Sequence, residues 1–341
     1  MVHVVCSDAF AGVERYITYT APGLARRGWE VVVVGGNRHR MQQALGDAGI
    51  VHLPAATTAQ AARQLLRCRP LDLVHAHMSM AELAAVVTAP LVRAPIVTTR
   101  HFAARRGSSV QGRLAAVVIR RAVACQIAIS RFVAGAIDGP SVLLPSGVPP
   151  SSAPPERRPV VLMAQRLEEE KDVAVGLRAW AASGLPALGW SLVIAGGGSL
   201  GPHLRELADD LGVAASVSFI GARESLDDLF REAGIFLATA RAEPFGLSVV
   251  EAMAGGLPVV ASASGAHLET VGACSGAWLF PAGDHEACAQ RLRLLASVGE
   301  RRASYGEALQ QVHRRYFDVD LHVDRLVEVY DRTGRTAGIQ V

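Results

Sequence analysis

The sequence predicts an α/β protein of two domains, each with a parallel β-sheet covered by helices on both faces. The chain has 341 residues, which is too long for one ordinary core and suits two domains of roughly 100–200 residues each. Short apolar segments alternate with longer helical segments, as they do in proteins with parallel sheets. A proline- and serine-rich segment, residues 149–155, interrupts this alternation near the middle and indicates an interdomain linker.

Seven short apolar segments in the first half have the length and composition of buried strands. Segments rich in alanine and arginine separate them and are typical of helices. These segments predict a first domain over residues 1–148, followed by a linker over residues 149–159. The predicted strands are Val2–Cys6, Val31–Val34, Ile50–Leu53, Leu71–His75, Ile96–Thr99, Gln126–Ile129 and Val142–Leu144.

The same alternation resumes after the linker and predicts a second domain over residues 160–315. Apolar residues at helical spacing between Leu321 and Tyr330 predict a C-terminal helix, and we expect residues 316–341 to pack towards the N-terminal domain. Open parallel sheets bind ligands beyond the carboxyl ends of their strands, so we expect a ligand in a cleft between the domains. The predicted strands are Val160–Ala164, Ser191–Ala195, Val217–Ile220, Ile235–Ala238 and Pro258–Ala261.

Composition excludes several classes of function. The net charge of +3 and the 5% aromatic content argue against a nucleic-acid partner. Five scattered cysteines lack the paired spacing of zinc or redox motifs, so we expect free thiols. The longest apolar stretches fall short of the roughly 18–20 residues of a membrane span, and the first residues do not resemble a signal peptide. We therefore expect a cytoplasmic protein.

The segment from Glu243 to Pro258 is the most informative one for function. It follows a predicted strand and opens a helix, and the backbone N–H groups around Gly246 at such a helix start attract a phosphate or a sugar oxygen. Glu243 precedes the helix and Glu251 lies within it, and ionised carboxylates accept hydrogen bonds from sugar and ribose hydroxyls. A capped surface helix with two solvated acids is the simpler alternative for this pattern.

The segment resembles the E-x7-E signature of retaining glycosyltransferase family 4, whose members have the GT-B fold of two facing Rossmann-like domains with a central cleft. The resemblance implies that Glu243 contacts the transferred sugar and that Glu251 binds the ribose of a nucleotide diphosphate sugar. It also implies that Phe245, Gly246 and Leu247 belong to the donor site.

The loop after the first strand of the second domain resembles the family's G-R-L-x-x-x-K-G segment, in which arginine and lysine hold the donor diphosphate. The matching residues are Arg166 and Lys171, whereas Gln165 and Asp172 stand where glycines are common. Lys171 is the single lysine among 34 basic residues, and its compact ammonium differs from a guanidinium fork. A charged helix start with solvated side chains is the alternative interpretation.

Gly196, Gly198 and Gly201 satisfy the G-x-G-x-x-G pattern of dinucleotide sites. They follow the second strand of their domain, however, and no acid stands at the end of the next strand. We therefore interpret them as a tight strand-to-helix connection rather than a nicotinamide site.

Two residues of the first domain are assigned to the site by the resemblance alone. Gly12 lies in a segment similar to the family's G-G-x-E-R loop, with Ala11 in place of the first glycine. His101 matches a histidine that lines the reaction centre near the transferred sugar. The predicted catalytic set is thus His101, Arg166, Lys171 and Glu243.

The sequence predicts no metal site. His75 and His77 share one face of a strand, but no third ligand is evident. Asp318 and Asp320 have the D-x-D spacing of metal-dependent glycosyltransferases, yet an aspartate before a predicted helix is more simply an N-cap.

The resemblance implies transfer of a hexose-type sugar from a nucleotide diphosphate donor to an acceptor hydroxyl with retention of configuration, and we expect this activity to need no metal and no cofactor. The sequence does not identify the acceptor, and a polysaccharide, a lipid and a small molecule all stay open. Two alternatives stay open. A sugar-nucleotide epimerase of similar fold would isomerise the donor without an acceptor, and a binding module would hold the donor without turnover.

A weak membrane contact is a further hypothesis. Arg106, Arg113 and Arg120 recur every seven residues, opposite a set of apolar residues, so a helix here would suit the anionic inner face of the membrane. Burial of the apolar side chains against the first sheet explains the same pattern. The apolar set is Val110, Leu114, Val117 and Val118.

Overall fold

The computed structural model describes residues 1–107, 110–151, 157–223 and 225–336. The chain divides into two compact units, one of residues 1–148 and 318–341 and the other of residues 149–317. Each unit contains one parallel sheet. No helix in the described part of the chain has the length and apolar character needed to cross a bilayer.

The first unit has a seven-stranded sheet in the order β3-β2-β1-β4-β5-β6-β7. The order reverses between β1 and β4, which are adjacent and parallel, so loops after these two strands diverge and leave room for a ligand. The strands are β1 (Val2–Val5), β2 (Val32–Val34), β3 (Val51–Leu53), β4 (Val74–His77), β5 (Ile96–Arg100), β6 (Val123–Ala128) and β7 (Val142–Leu143).

The helices of the first unit cover this sheet, and the last helix of the chain is one of them. Gly23 on the first helix lies so close to the last one that an added Cβ atom would stand 2.8 Å from Val323 Cγ2. Val323 and Tyr330 are fully buried. The helices are α1 (Gly12–Arg26), α2 (Arg38–Gly46), α3 (Thr58–Arg67), α4 (Met78–Val92), α5 (Val110–Ala122), α6 (Arg131–Ala136) and α13 (Val319–Thr336).

The second unit has a six-stranded sheet in the order β10-β9-β8-β11-β12-β13, which reverses between β8 and β11. The strands are β8 (Val160–Ala164), β9 (Ser191–Ala195), β10 (Val217–Gly221), β11 (Ile235–Ala238), β12 (Val259–Ser262) and β13 (Trp278–Phe280). The helices are α7 (Val173–Ser183), α8 (Gly201–Asp210), α9 (Asp227–Glu232), α10 (Leu247–Ala254), α11 (His285–Ala296) and α12 (Gly299–Tyr316).

Three details differ from the sequence prediction. The fourth strand extends to His77, because His77 pairs with both Val5 and Thr99. The short strand β13 was not predicted. The second unit continues through α12 to Phe317, two residues beyond the predicted boundary, and part of the predicted linker, residues 152–156, lies outside the described residues.

Candidate functional site

Four loops of the second unit gather at one edge of its sheet. They follow β9, β8, β11 and β12, which are neighbours in that order and run parallel. Because the carboxyl ends of parallel neighbours share an edge, residues in these loops lie near one another. Lys171 follows β8 and Glu243 follows β11, so the two predicted residues flank the point where the strand order reverses.

Lys171 and Glu243 form an ion pair, with 2.6 Å between Lys171 Nζ and Glu243 Oε2. The two side chains are only 15% and 12% exposed. Lys171 ends a short 3₁₀-helix, Glu169–Lys171, and its carbonyl accepts a hydrogen bond of 2.8 Å from Thr239 Oγ1. The backbone therefore fixes the lysine, and the structure brings together two residues that are 72 positions apart.

Glu243 is held ionised by its surroundings. Burial raises the pKa of this carboxyl, but the Lys171 charge and the backbone N–H of Phe245 outweigh burial and leave the pKa below its usual range. The loop after β12 fixes the Glu243 backbone, because Ala266 N donates to Glu243 O at 2.8 Å. A side chain at Gly265 would stand 2.4 Å from Glu243 O, so this contact requires glycine.

His267 is a residue of this edge that sequence reasoning missed. It is 1% exposed, and its Nδ1 lies 3.1 Å from Ser262 Oγ. Burial lowers the pKa of His267 despite the nearby Glu243, so the ring is neutral at neutral pH. Within the described residues its Nε2 has no hydrogen-bond partner. The available signal was a histidine close behind the predicted strand Pro258–Ala261.

The glycine-rich turn after β9 packs directly on the β8 loop. A Cβ atom at Gly196 would stand 1.9 Å from Gln165 O, and one at Gly198 would stand 2.4 Å from Leu167 O. Ser199 also donates from its backbone N–H and its hydroxyl to Glu168, at 3.0 and 2.8 Å. These glycines thus permit close approach of two loops, which agrees with the predicted tight connection.

Two departures from the family pattern have local explanations. Asp172 has φ +49°, in the left-handed region, where glycine is the usual residue. Its carboxylate accepts a 2.7 Å bond from Arg241 Nε. Gln165 Nε2 donates to Thr239 Oγ1 at 3.1 Å, so its side chain ties the β8 loop to the β11 loop.

Arg166 does not join the Lys171–Glu243 pair. Its side chain is 59% exposed and pairs with Glu170, which lies on the short 3₁₀-helix. The structure therefore places Arg166 at the same edge as Lys171 but leaves it in solvent contact.

The helix α10 begins as the sequence predicted. Gly246 is its N-cap with φ +83° and Leu247 is its first residue. Glu251 lies on the same helix and is 7% exposed. Phe245 is buried and meets the ring of Phe317 edge-on, with 6.0 Å between centroids, so the structure gives this residue a packing role.

In the first unit, Gly12 is the exposed first residue of α1, the helix that follows β1 in the chain. The loop before it is held by the Glu14 carboxylate, which accepts from Ala11 N at 2.9 Å and from the Ser7 hydroxyl. Glu14 itself is buried. An acid of the motif thus shapes the loop around Gly12.

His101 follows β5 and is 9% exposed. Its Nε2 lies 3.1 Å from His77 Nδ1, and His77 Nε2 lies 2.9 Å from His3 Nδ1. Burial lowers the pKa of His101 and of His3 to about 3. Burial also lowers the pKa of His77 well below its usual value. The three rings are therefore neutral at neutral pH and form a hydrogen-bonded chain.

The prediction that no third potential ligand lies near His75 and His77 is wrong. His3 on the neighbouring strand supplies one, and nitrogens of the three rings lie within 4.8 Å of one another. The fit to a metal is poor, however. Both nitrogens of His75 already bond to Tyr330 and Thr99, at 2.6 and 2.7 Å, and both nitrogens of His77 bond to neighbouring rings.

Of the D-x-D pair, Asp318 precedes α13 and has the predicted capping role, whereas Asp320 is the second residue of the helix. Asp318 Oδ1 accepts from Asp320 N at 2.9 Å and from Leu321 N at 3.3 Å. Asp320 pairs with Arg26 at 2.9 Å. Both carboxylates thus have structural partners within the first unit.

The predicted arginine face is wrong for Arg106. Arg106 precedes α5, is 6% exposed, and pairs with Glu82 at 2.7 Å and Asp138 at 2.9 Å. Arg113 and Arg120 do lie on α5 and are exposed.

Burial against the sheet is also wrong for three apolar residues of this helix, which the structure leaves exposed: Leu114 at 67%, Val117 at 38% and Val118 at 56%. The side chain of Val110 lies outside the described residues. Among the described side chains of α5, the buried one is Ile119, at 4% exposure.

Two family models match the chain. The model described as glycosyl transferases group 1 matches residues 148–312, and the model described as glycosyltransferase family 4 matches residues 10–139. An uncharacterised glycosyltransferase of Methanocaldococcus jannaschii is 31% identical over 160 residues, which are 46% of this chain and 41% of that protein. A D-inositol 3-phosphate glycosyltransferase of Salinispora arenicola is 35% identical over 197 residues, 54% of this chain and 44% of that protein. The matches thus span less than half the length of these relatives.

The fold matches solved structures over nearly the whole chain. HepE of Anabaena, solved in complex with UDP and glucose, aligns with a TM-score of 0.81 at 19% identity, over 97% of this chain and 98% of that one. A second structure of that protein contains UDP-glucose. This likeness shows the two-domain α/β fold of the GT-B type. With the two family models together covering most of the sequence, the chain belongs to the glycosyltransferases of the group 1 and family 4 type.

Proposed function

We propose that the chain transfers a hexose-type sugar from a nucleotide diphosphate sugar to an acceptor hydroxyl, with retention of configuration and without a metal ion. The Lys171–Glu243 pair carries the proposal. It places a cation and an ionised acceptor of hydrogen bonds at the carboxyl edge of a parallel sheet, the edge where such sheets bind nucleotides.

The charges suit the chemistry of the proposed transfer. As the bond between sugar and diphosphate breaks, negative charge grows on the departing phosphate, and a positioned cation stabilises it. Lys171 supplies a compact ammonium, exposed Arg166 supplies a fork, and the first N–H groups of α10 add partial positive charge. Glu243 stays ionised and accepts hydrogen bonds from sugar hydroxyls. These groups thus supply the positive charge that a metal ion supplies in metal-dependent glycosyltransferases.

Two parts of the proposal, the hexose-type sugar and the retention of configuration, are supported by similarity to other proteins. Glu243 and Glu251 have the spacing of the retaining family's acids, and HepE, with the same fold, was solved with UDP-glucose. On these grounds the proposed leaving diphosphate takes the acceptor proton on the same face of the sugar. A double displacement would instead need a second carboxylate pair around the reacting carbon.

The test is a panel of nucleotide sugars incubated with hydroxyl acceptors in excess chelator, with product anomers assigned by NMR. We expect one donor to give a product of unchanged anomeric configuration, and the Lys171→Ala variant to give little product. An isomerised nucleotide sugar without acceptor would identify an epimerase. Tight donor binding without turnover would identify a binding module. Activity lost in chelator and restored by Mg²⁺ or Mn²⁺ would contradict metal independence.

A further inference from the structure

The first unit contains a linear chain of three imidazoles that runs from its core to the carboxyl edge of its sheet. His3 lies on β1, His77 on β4 and His101 directly after β5. The bonds are His3 Nδ1 to His77 Nε2, at 2.9 Å, and His77 Nδ1 to His101 Nε2, at 3.1 Å. Each ring therefore uses a defined nitrogen towards its neighbour.

His3 lies at the buried end of this chain, and its tautomer sets the direction in which the rings donate their hydrogen bonds. A neutral imidazole carries one N–H and one lone pair. The Nε2 atom of His3 is buried and has no hydrogen-bond partner within the described residues. A buried N–H without a partner is rarer in proteins than an acceptor without one, so Nε2 holds the lone pair and Nδ1 holds the proton.

The position of the proton on His3 determines the positions of the protons on His77 and His101. His3 Nδ1 donates to His77 Nε2, which leaves the His77 proton on Nδ1. His77 Nδ1 then donates to His101 Nε2, which leaves the His101 proton on Nδ1. No described residue hydrogen-bonds His101 Nδ1, so this N–H is the polar group that the ring can offer to a ligand.

We propose that His3 and His77 are positioning residues that hold His101 as its Nδ1–H tautomer, so that His101 presents a hydrogen-bond donor to a ligand oxygen. The identity of that oxygen as a sugar hydroxyl rests on the proposed function. The tautomer itself does not. In this tautomer Nδ1 has no lone pair, so His101 orients the ligand and accepts no proton from it.

The first experiment reads the tautomers directly in the wild-type protein. Long-range ¹H–¹⁵N NMR of histidine-labelled protein at neutral pH distinguishes a protonated ring nitrogen from one with a lone pair. We expect protonated Nδ1 and unprotonated Nε2 in His3, His77 and His101 alike. A protonated Nε2 on His101 would overturn the inference, whether or not the protein transfers sugar.

A matched pair of variants tests the positioning role. In His77→Asn the amide can offer either its NH₂ or its oxygen to His101 Nε2, so the direction is lost and the two nitrogen shifts of His101 should move towards each other. His52→Asn is the control, because His52 is buried in the same unit but bonds to Gly35 O. It should leave His101 unchanged. Unchanged His101 shifts in folded His77→Asn would overturn the role of His77.

Activity and metal content give the remaining outcomes. If the proposed function holds, His77→Asn should lower kcat/KM by roughly three- to tenfold, as for loss of about one hydrogen bond, and His52→Asn should not. An inactive wild-type protein with the expected tautomers would refute the proposed function and leave the inference intact. Stoichiometric zinc bound by His3, His75 and His77 in the purified protein would overturn it, since a metal would replace the ring-to-ring bonds.

Discussion

The two units differ in the kind of polar group that each brings to the carboxyl edge of its sheet. In the second unit this edge carries an ion pair, Lys171 with Glu243, and the exposed Arg166. In the first unit it carries the imidazole chain that ends at His101, whose burial keeps it uncharged. The cations of the second unit suit an anionic diphosphate, whereas the neutral His101 can offer a ligand an uncharged hydrogen-bond donor. The second unit is therefore the proposed site of the donor phosphates.

The first unit does contain buried charges, but they serve its structure. Arg106 is bonded to Glu82 and to Asp138, and all three side chains are largely buried. Removing one partner of a buried ion pair leaves the other charge uncompensated, which costs about 3–5 kcal/mol. We expect Arg106→Ala to destabilise the first unit by that amount. Hydrogen-exchange mass spectrometry in increasing urea measures the two units separately.

The control for this prediction is Arg113→Ala, which removes an exposed arginine from α5 of the same unit. It should change stability by less than about 0.5 kcal/mol. Equal effects of the two variants would contradict a structural role for the Arg106 cluster and would reopen its assignment to an exposed arginine face.

The charged edge of the second unit depends on the glycine-rich turn beneath it. A Cβ atom at Gly196 would stand 1.9 Å from Gln165 O, so Gly196→Ala must displace the loop that carries Arg166 and Lys171. Overpacking of this kind costs about 1–3 kcal/mol. We expect a loss of stability in the second unit and weaker donor binding, measured by calorimetry. Gly197→Ala, with nothing within 4 Å of its added Cβ, is the matched control, and equal behaviour of the two variants would contradict this account.

Local sequence patterns predicted many of the structural features compared above, whereas the features that were missed depend on contacts between residues far apart in the chain. The strands, the capped start of α10 and the edge that carries Lys171 and Glu243 follow from alternation and loop position. His3 was missed because its proximity to His77 depends on β1 lying beside β4. Arg106 was misplaced because a seven-residue spacing resembles a helical face, whereas its partners stand 24 and 32 positions away.

Acid should weaken the first unit through Asp138. Burial raises the pKa of Asp138, but hydrogen bonds from Arg106 and Arg100 outweigh burial and lower the pKa to about 2, against an ordinary value of about 3.9. Because the folded-state pKa is depressed, the stabilisation is complete above about pH 4 and is lost as pH falls towards 2. The difference in unfolding free energy between wild type and Asp138→Asn should therefore shrink over this range. A constant difference in acid denaturation series would contradict the pairing.

The smallest expected effect concerns the outer surface of the first unit. Exposed Leu114 and Val118 lie on α5 with exposed Arg113 and Arg120, a combination that suits a weak contact with anionic lipid. We expect partial sedimentation with anionic vesicles at low salt, reduced by Leu114→Ser and abolished by high salt. Sedimentation that is absent, or equal with neutral vesicles, would contradict a lipid-binding surface.

Turnover by Lys171 variants tests the central claim most directly, because the assignment of the donor phosphates to the second unit depends on this ammonium. Steady-state kinetics should show kcat lower by on the order of 100–1,000-fold in Lys171→Ala, the usual scale for losing one electrostatic stabiliser. Lys171→Arg should also be impaired, because a planar guanidinium does not replace a compact ammonium. Arg158→Ala is the control, since Arg158 is exposed and lies at the amino end of β8. Near-wild-type turnover in a Lys171→Ala variant that melts like the wild type would contradict the account.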